Sequence, residues 1–330
     1  MNPCKWLPLL CLIILISCSK KKDVDIENKW SGTPVISEIS KALTNNPINT
    51  DSATVQDATG GSVVNDNISV YIPPHAFTLA NGTAINGSAL VKLETITTVK
   101  DMVLSGITTI SNKGLLESGG MIRISAYDNK GNPLKVNKEI SLVSNFPVSN
   151  FTFGFPSAFK GTPTANNNAN KITWALWGTI SPDGIPTGPV VMPPTNNTPD
   201  RGISIVNIDE IFTWTNLDAY ITSTSPLTDI TVTLPNGFSN LNTQCCFNYA
   251  GINSCAYLSA NAALKVFTTN GSGYKVIRGR AANIIVMAKK NGTYYIQVIA
   301  VKAIGDNQTI NADNLKETTM NGIKLILAGL

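Results

Sequence analysis

The sequence predicts an all-β protein: two antiparallel β-sandwich domains behind an N-terminal export segment and a flexible tether. Three observations predict this class. Charged residues make up only 14% of the 330-residue chain, and Asn, Thr, Ser and Gly are abundant, which is typical of short strands joined by turns. Apolar and polar residues alternate with a period of two over many short stretches. Clusters of Pro, Gly and Asn separate these stretches, and the length is sufficient for two ordinary domains.

The first 17 residues have the pattern of an export signal. Lys5 precedes an apolar run from Leu7 to Ile16, which is about half of the roughly 20 residues that a membrane-spanning helix needs. The run ends at Leu15-Ile16-Ser17-Cys18, and polar sequence follows at once. An ordinary cleaved signal peptide is the alternative to the interpretation that follows.

The stretch Leu15-Ile16-Ser17-Cys18 resembles the lipobox of bacterial lipoproteins at every position. The resemblance implies that Cys18 is lipidated, becomes the first residue of the mature chain and anchors it in a membrane. Ser19 after the cysteine resembles the residue that directs such proteins to the outer membrane of Gram-negative bacteria. Whether the chain faces the periplasm or the cell surface stays open.

A lipid-anchored tether is predicted over residues 18–60, because this part has no sustained periodicity and many Asn, Thr, Ser and Asp residues. A flexible chain of about 40 residues has an r.m.s. span of roughly 35 Å, enough to hold a folded domain clear of lipid head groups. Within it, Asp51-Ser52-Ala53 resembles the acceptor motif that some Bacteroidota use for protein O-glycosylation. That resemblance implies a glycan on Ser52.

A first sandwich is predicted over residues 61–160, because three short stretches there alternate strictly between apolar and polar residues. One polar face per strand is typical of antiparallel sheets that are half exposed to solvent. The apolar positions are Ile68, Val70 and Ile72, then Ala89, Val91 and Leu93, then Ile122, Ile124 and Ala126. Ser69 and Tyr71 lie on the opposite face of the first of these strands.

Three segments of this region carry a family resemblance. The stretch Ile68–Phe77 is similar to the opening of ZU5-type β-sandwiches, with His75 in place of the usual glycine. Asp101–Gly106 and Leu116–Met121 resemble two signatures of a widespread set of uncharacterised Bacteroidota lipoproteins. The resemblance covers about residues 61–147. It implies a β-sandwich at the cell envelope and implies no catalytic residues.

A Pro/Gly/Asn-rich linker is predicted over residues 161–200, because Asn166-Asn167-Asn168 and the proline-rich run up to Pro199 contain many residues that interrupt regular structure. The stretch Ile172–Trp177 within it has the composition of a strand, and its domain stays open.

A second sandwich is predicted over residues 201–330. Phe212–Tyr220 resembles a stretch that follows the first sandwich in the same lipoproteins. A hairpin is predicted at Asn291-Gly292, with Met287 opposite Ile296, because this dipeptide suits the positive φ angles of a type I′ turn. The unit is similar to prealbumin-like or carboxypeptidase-regulatory-like sandwiches.

Histidine-dependent chemistry is disfavoured, because the chain has a single histidine, His75, which follows two prolines in a predicted loop. A Ser-His-Asp triad would have to use it, and a zinc site has too few ligands at suitable spacing. The net charge is only +4 and no basic patch with interleaved aromatic residues occurs, so no nucleic-acid partner is predicted. No cofactor and no metal site are predicted.

Three cysteines remain after Cys4 and Cys11 leave with the signal and Cys18 takes lipid. Cys245 and Cys246 are neighbours in a predicted strand, so their side chains point to opposite faces. Only one of them can approach Cys255. The sequence therefore leaves two states open: a disulfide from Cys245 or Cys246 to Cys255, or three buried free thiols.

These observations predict a lipid-anchored cell-envelope protein that acts as a non-catalytic binding or structural module. Its predicted partners are the membrane, through the lipid, and an unidentified envelope protein or glycan. Three tryptophans could contribute to binding or to the cores: Trp174, Trp177 and Trp214. The alternative is a glycan- or peptide-processing hydrolase that uses two carboxylates about 5–10 Å apart, with four candidates: Asp209, Glu210, Asp218 and Asp229.

Overall fold

The computed structural model describes residues 37–43, 45–146, 151–163, 172–180, 186–192, 203–261 and 266–330. The predicted signal peptide and Cys18 lie outside these residues. The described chain is mostly strand with three short helices, so the predicted all-β class is confirmed. None of the described helices is long and apolar enough to cross a membrane.

The described elements follow one another through the chain as follows. Up to residue 163 they are α1 Glu38–Leu43, β1 Asn49–Gln56, β2 Gly61–Asn65, β3 Ile68–Ile72, β4 Phe77–Thr78, β5 Ser88–Ile96, α2 Val99–Ser105, β6 Ile110–Ser111, β7 Gly114–Tyr127, β8 Lys135–Val136, β9 Ile140–Ser144 and β10 Ser157–Pro163. From residue 172 to 249 they are β11 Ile172–Leu176, β12 Thr179–Ile180, β13 Pro186–Thr187, β14 Val190–Met192, β15 Ile203–Ile208, β16 Trp214–Tyr220, β17 Leu227–Thr228, β18 Ile230–Thr233 and β19 Thr243–Tyr249. The last are β20 Ala256–Tyr257, β21 Ser259–Asn261, β22 Val266–Thr268, β23 Val276–Ile277, β24 Ala282–Lys290, β25 Thr293–Val301, β26 Gln308–Asn311, β27 Lys316–Thr318 and α3 Met320–Leu327.

The first sandwich consists of two sheets. Sheet I has the order β1-β5-β7-β16-β10-β11-β6, and β6 also pairs with β7. Sheet II has the order β14-β15-β9-β3-β2. Alternate residues of both sheets meet in a shared core that includes Val70, Val91, Ile124, Leu142 and Leu217. The predicted alternation in β3 and β5 therefore reflects one buried face per strand, whereas β7 is largely buried on both faces.

The second sandwich packs sheet III, with the order β20-β19-β24-β25-β27, on sheet IV, with the order β21-β22-β18-β26. Its core includes Val232, Phe247, Ile284 and Val286. The pairings are antiparallel except for β18 with β26 and, in sheet I, β6 with β11. The three remaining pairs are two-stranded: β4 with β8, β12 with β13, and β17 with β23.

The predicted hairpin between β24 and β25 is confirmed. Met287 pairs with Ile296, Ile285 with Val298 and Lys289 with Tyr294. Asn291 and Gly292 have φ angles of 52° and 83°, as a type I′ turn requires. Met287 and Ile296 are buried, whereas Tyr295 is half-buried on the other face.

A layer of helices lies between the two sandwiches. Ile39 and Leu43 of α1, Met102 and Val103 of α2, and Ile323 of α3 join one buried cluster. The same cluster takes in sheet I residues such as Phe159 and Trp174, together with sheet III residues such as Cys246 and Met287. The central strands of both sheets are therefore covered on both faces, as β19 and β24 are in sheet III. This explains why β24 is apolar at consecutive positions rather than alternating.

The predicted tether is too long at its C-terminal end. Residues 38–43 form α1, and Asn49–Gln56 forms β1, which pairs along its whole length with β5. Only Val55 of β1 is buried, and most other side chains of this edge strand are exposed. An edge strand with so little buried surface needs few apolar residues, so its sequence looks like a polar tether.

The predicted linker over residues 161–200 is also wrong in its described parts. Residues 157–163 form β10 and residues 172–176 form β11, and the two pair as neighbours in sheet I. Val190–Met192 pairs with β15 in sheet II. The breaker-rich segments thus connect strands within the first sandwich.

The boundary between the sandwiches lies after Tyr220 rather than at residue 200. β15 pairs with β9 in sheet II, and β16 lies between β7 and β10 in sheet I. Both strands had been predicted as part of the second sandwich. Residues Thr33–Leu330 group as one compact unit.

Candidate functional site

The outer face of sheet II is the most distinctive exposed surface in the described part of the chain. Since Val63, Val70, Leu142, Ile205 and Val191 point into the core, their neighbours along each strand point outward. We call these neighbours the serine–aliphatic face: Ser62 and Val64 of β2, Ser69 and Tyr71 of β3, Ser141 and Val143 of β9, Val190 and Met192 of β14, and Ser204 and Val206 of β15.

The strand register arranges this face as a chequerboard of hydroxyl and apolar groups. One row runs across all five strands as Val64, Ser69, Val143, Ser204 and Met192. The second row begins with Ser62, Tyr71 and Ser141, and it ends with the paired residues Val206 and Val190. Each serine of the first four strands therefore has apolar neighbours along its strand and across the sheet.

The apolar members of the face are well exposed. Tyr71 is 56% exposed, Val64 51%, Met192 44% and Val143 40%. None of the five strands contains Asp, Glu, Lys, Arg or His. Two exposed carboxylates, Glu139 and Asp209, lie directly beyond the ends of β9 and β15. A partner that stays on the strands could therefore cover the face without burying a charge, which would otherwise be costly. An exposed face with this much apolar surface is a candidate interaction site.

A second feature is a buried polar cluster where the family-like motifs Leu116–Met121 and Phe212–Tyr220 meet. These motifs lie on β7 and β16, which pair with a one-residue bulge between Asn216/Met121 and Asp218/Ser118. The Ser118 hydroxyl donates to Asn216 Oδ1 at 2.8 Å, and Asn216 Nδ2 donates to Asp218 Oδ2 at 2.6 Å. Ser118, Asn216 and Asp218 are each 0% exposed.

The loop between β19 and β20 joins this cluster from the second sandwich. Asn253 Nδ2 donates to the carbonyl oxygens of Thr97 and Ser118 at 3.0 and 2.8 Å. The Ser118 amide donates back to the Asn253 carbonyl at 2.8 Å. Cys255 and Thr109 exchange backbone and hydroxyl hydrogen bonds beside it. The cluster therefore fastens one sandwich to the other.

Asp218 and the neighbouring Glu117 are the two carboxyls at this cluster, and both are too deeply buried for a substrate to reach. Glu117 is 2% exposed and accepts hydrogen bonds from the amides of Thr152 and Phe153. Burial raises the pKa of the Asp218 carboxyl well above its usual value, against the lowering effect of Ser118 and Asn216, and the nearby Glu117 carboxylate raises it further. Asp218 Oδ1 has no hydrogen-bond partner.

The other predicted carboxylates have separate surroundings. Glu210 forms an ion pair with Lys160, and Asp229 accepts a hydrogen bond from Thr269 and lies 3.5 Å from Lys275 Nζ. Asp209 is exposed after β15. The four carboxylates thus do not share partners.

A small cavity of about 30 Å³ beside α2 has Asp101 as its one acidic lining residue, and it has room for only about two water molecules.

All three remaining cysteines are free and buried. Cys245 belongs to the core of the second sandwich, whereas Cys246 and Cys255 belong to the helical layer. The predicted opposite orientation of Cys245 and Cys246 is therefore confirmed, and Cys246 is the one on the side of Cys255. Burial raises the pKa of both neighbouring thiols, and the Cys255 thiol raises that of Cys246 further, which disfavours the reactive thiolate.

The remaining predicted residues are dispersed. Ser52 is exposed on the edge strand β1, where a modifying enzyme could reach it. Trp174 and Trp214 are buried, and Trp177 is half-buried against the first core under Lys160. His75 lies in a turn with its Nδ1 2.7 Å from Asp57 Oδ2. Of the residues in the serine–aliphatic face, the sequence had indicated only Ser69 and Tyr71 as outward.

No protein-family profile matches this chain, and no curated protein matches it either.

Proposed function

We propose that this chain is a lipid-anchored protein of the cell envelope, that it acts as a non-catalytic binding module, and that the serine–aliphatic face receives its partner. The anchor rests on the lipobox-like sequence that ends at Cys18. A lipoprotein with several acyl chains stays in the membrane, whereas one chain binds only reversibly, with K around 10⁴ M⁻¹. Ser19 supports the outer membrane as the destination.

The observation that carries the binding role is the uncharged exposed face of sheet II. Sheet II is the outermost layer of the first sandwich, since its other face is buried against sheet I. The helices and the second sandwich lie on the far side of sheet I. A partner can therefore approach the face without meeting the described remainder of the chain.

One experiment tests both parts of the proposal. A photoreactive phenylalanine analogue replaces Tyr71 in cells that express the chain with Cys18 or with Cys18→Ala. We expect the Cys18 form to incorporate labelled fatty acid, to sediment with membranes and to give a defined cross-linked product on illumination. Cys18→Ala should lose the fatty acid label and should leave the membrane fraction or accumulate unprocessed.

The matched control places the same analogue at Leu325, which is 77% exposed on α3, outside the face. Unchanged lipid incorporation in Cys18→Ala would refute the anchor. Equal cross-linking from Leu325 and Tyr71, or none from Tyr71, would refute the binding face.

A further inference from the structure

We infer that the serine–aliphatic face binds an extended, uncharged polysaccharide chain, of the flat ribbon type that β-1,4 linkage produces. This inference rests on the proposed function, since it names the class of partner for the same face. Three properties of the face support it: its charge, its size and the spacing of its side chains.

The strands of the face carry no charge with which to bind an ionic partner. The five strands of sheet II contain no acidic, basic or histidine residue, so they offer no counter-charge to a phosphate, carboxylate or ammonium group. A charged polymer laid on this face would lose hydration without gaining an ion pair, which is unfavourable. A neutral polymer loses only the hydration of hydroxyl and C–H groups, and the serines can replace part of the hydroxyl hydration.

The size of the face argues against a second copy of this chain as its occupant. Five strands at about 4.8 Å spacing span roughly 24 Å, and five residues of strand span roughly 17 Å. The resulting projected footprint of about 400 Å² is smaller than the roughly 800 Å² of accessible surface that each partner contributes to a stable protein interface. An oligosaccharide segment needs much less area, so the face is sufficient for a glycan.

The spacing of the side chains suits a polysaccharide that runs across the strands. Val64 and Val143 lie in one row on strands separated by β3, so they are roughly 9.6 Å apart. This separation is close to the length of one disaccharide unit in an extended β-1,4-linked chain. Its sugar rings present apolar C–H faces and a rim of hydroxyls. The aliphatic side chains and the Tyr71 ring would contact the C–H faces of the sugars. The hydroxyls of Ser69 and Ser204, which lie between the aliphatic residues of the row, would bind sugar hydroxyls.

The test measures retention of the whole protein, purified in detergent, on three insoluble neutral polysaccharides: cellulose, chitin and β-1,4-mannan. A polygalacturonate gel serves as the anionic comparator. We expect retention on at least one neutral polymer and none on the anionic gel. Val143→Glu should weaken that retention at least about tenfold, because the bound chain would cover a carboxylate that has no partner. Tyr71→Ala should weaken it as well.

Leu325→Glu is the matched control, since it adds the same charge at an exposed position outside the face. Its retention should equal that of the unmodified chain. Val143 is itself 40% exposed, so an unchanged melting temperature in Val143→Glu would show that the fold survives.

Four results would overturn the inference: no retention on any neutral polymer, retention on polygalacturonate alone, equal retention of Val143→Glu, or a dimer that Val143→Glu dissociates. If cross-linking from Tyr71 in cells persists while all neutral polymers fail, the proposed binding function stands and the polysaccharide assignment alone is wrong. If both fail, the face is not a binding surface.

Discussion

At the scale of single residues, Asp218 is an ionisable side chain in a fully buried position, where a charge is unfavourable. Its carboxyl is 0% exposed, one oxygen lacks a partner, and burial raises its pKa well above the usual value. In the unfolded chain the carboxyl ionises near pH 4, whereas in the folded chain it keeps its proton to higher pH. The stability contributed by the protonated group is therefore complete below about pH 4 and is lost as the pH rises toward the folded pKa.

We expect Asp218→Asn to reduce the pH dependence of folding, because Asn cannot ionise and has nearly the same shape as the protonated acid. One carboxyl contributes at most about 1.4 kcal/mol per pH unit. The measurement is the free energy of unfolding in urea at several values between pH 4 and pH 7. Asp209→Asn, at an exposed carboxylate, is the control. Identical slopes for Asp218→Asn and the unmodified chain would contradict this account.

The sequence predicted single residues well where local geometry decides their position. Adjacent residues of a strand point to opposite faces, so the sequence alone predicts that Cys245 and Cys246 lie on opposite sides of their strand. The residue that pairs with Asp218 on the neighbouring strand could not be predicted in this way. Ser118 is 100 positions away along the chain, and the contact depends on a bulge in β7 that shifts its register.

At the scale of elements, the local backbone accounts for the glycines of the family-like motifs. Gly119 and Gly120 lie at the bulge in β7. A Cβ on Gly119 would lie 2.7 Å from Phe151, and Gly120 has a φ of 130° that other residues rarely adopt. Leu116 and Ile122 are six positions apart and would share a face of a regular strand, but the bulge places Leu116 in the helical layer and Ile122 in the core of the first sandwich.

The motif Asp101–Gly106 has a comparable explanation in α2. The Thr98 hydroxyl accepts from the Asp101 amide and donates to its carboxylate at 2.6 Å, which closes the first turn. Gly106 ends the helix with a φ of 72°. These caps fix a helix of seven residues that is too short to be stable by itself. The motif therefore stabilises the layer between the sandwiches.

The turn between β24 and β25 gives a prediction for an element. Gly292 has a φ of 83° and no neighbouring atom within 4 Å of a Cβ, so a larger side chain meets backbone strain but no collision. We expect Gly292→Val to cost about 1–3 kcal/mol and to lower the melting temperature of the whole chain by more than about 2 °C. Differential scanning calorimetry would measure it. Gly305→Val, at an exposed glycine with ordinary contacts and no positive φ, should have a smaller effect.

At the scale of the whole molecule, the sequence predicted the class but not the division of the chain. Local alternation identified strands such as β3 and β5, which bury one face. It could not show that β16 enters the middle of sheet I, because strand partners distant in sequence leave no local pattern. Proline and asparagine clusters looked like a domain linker, although they connect strands of one sandwich. The serine–aliphatic face was missed for the same reason, since its strands come from three separate parts of the chain.

The corrected topology predicts how the molecule behaves when its chain is cut between Pro194 and Asp200. Two independent domains would separate after such a cut. In this fold, β15 and β16 follow the cut but pair with β9, β7 and β10, which precede it. Separation of the two fragments would expose the core between sheets I and II, which buries Leu217. It would also expose the helical layer, which buries Trp214. With a protease site engineered at residues 195–199, we expect the two cleaved fragments to elute together in size-exclusion chromatography and to separate only in denaturant. Fragments that elute apart under native conditions would contradict the boundary after Tyr220 and would restore the one at residue 200.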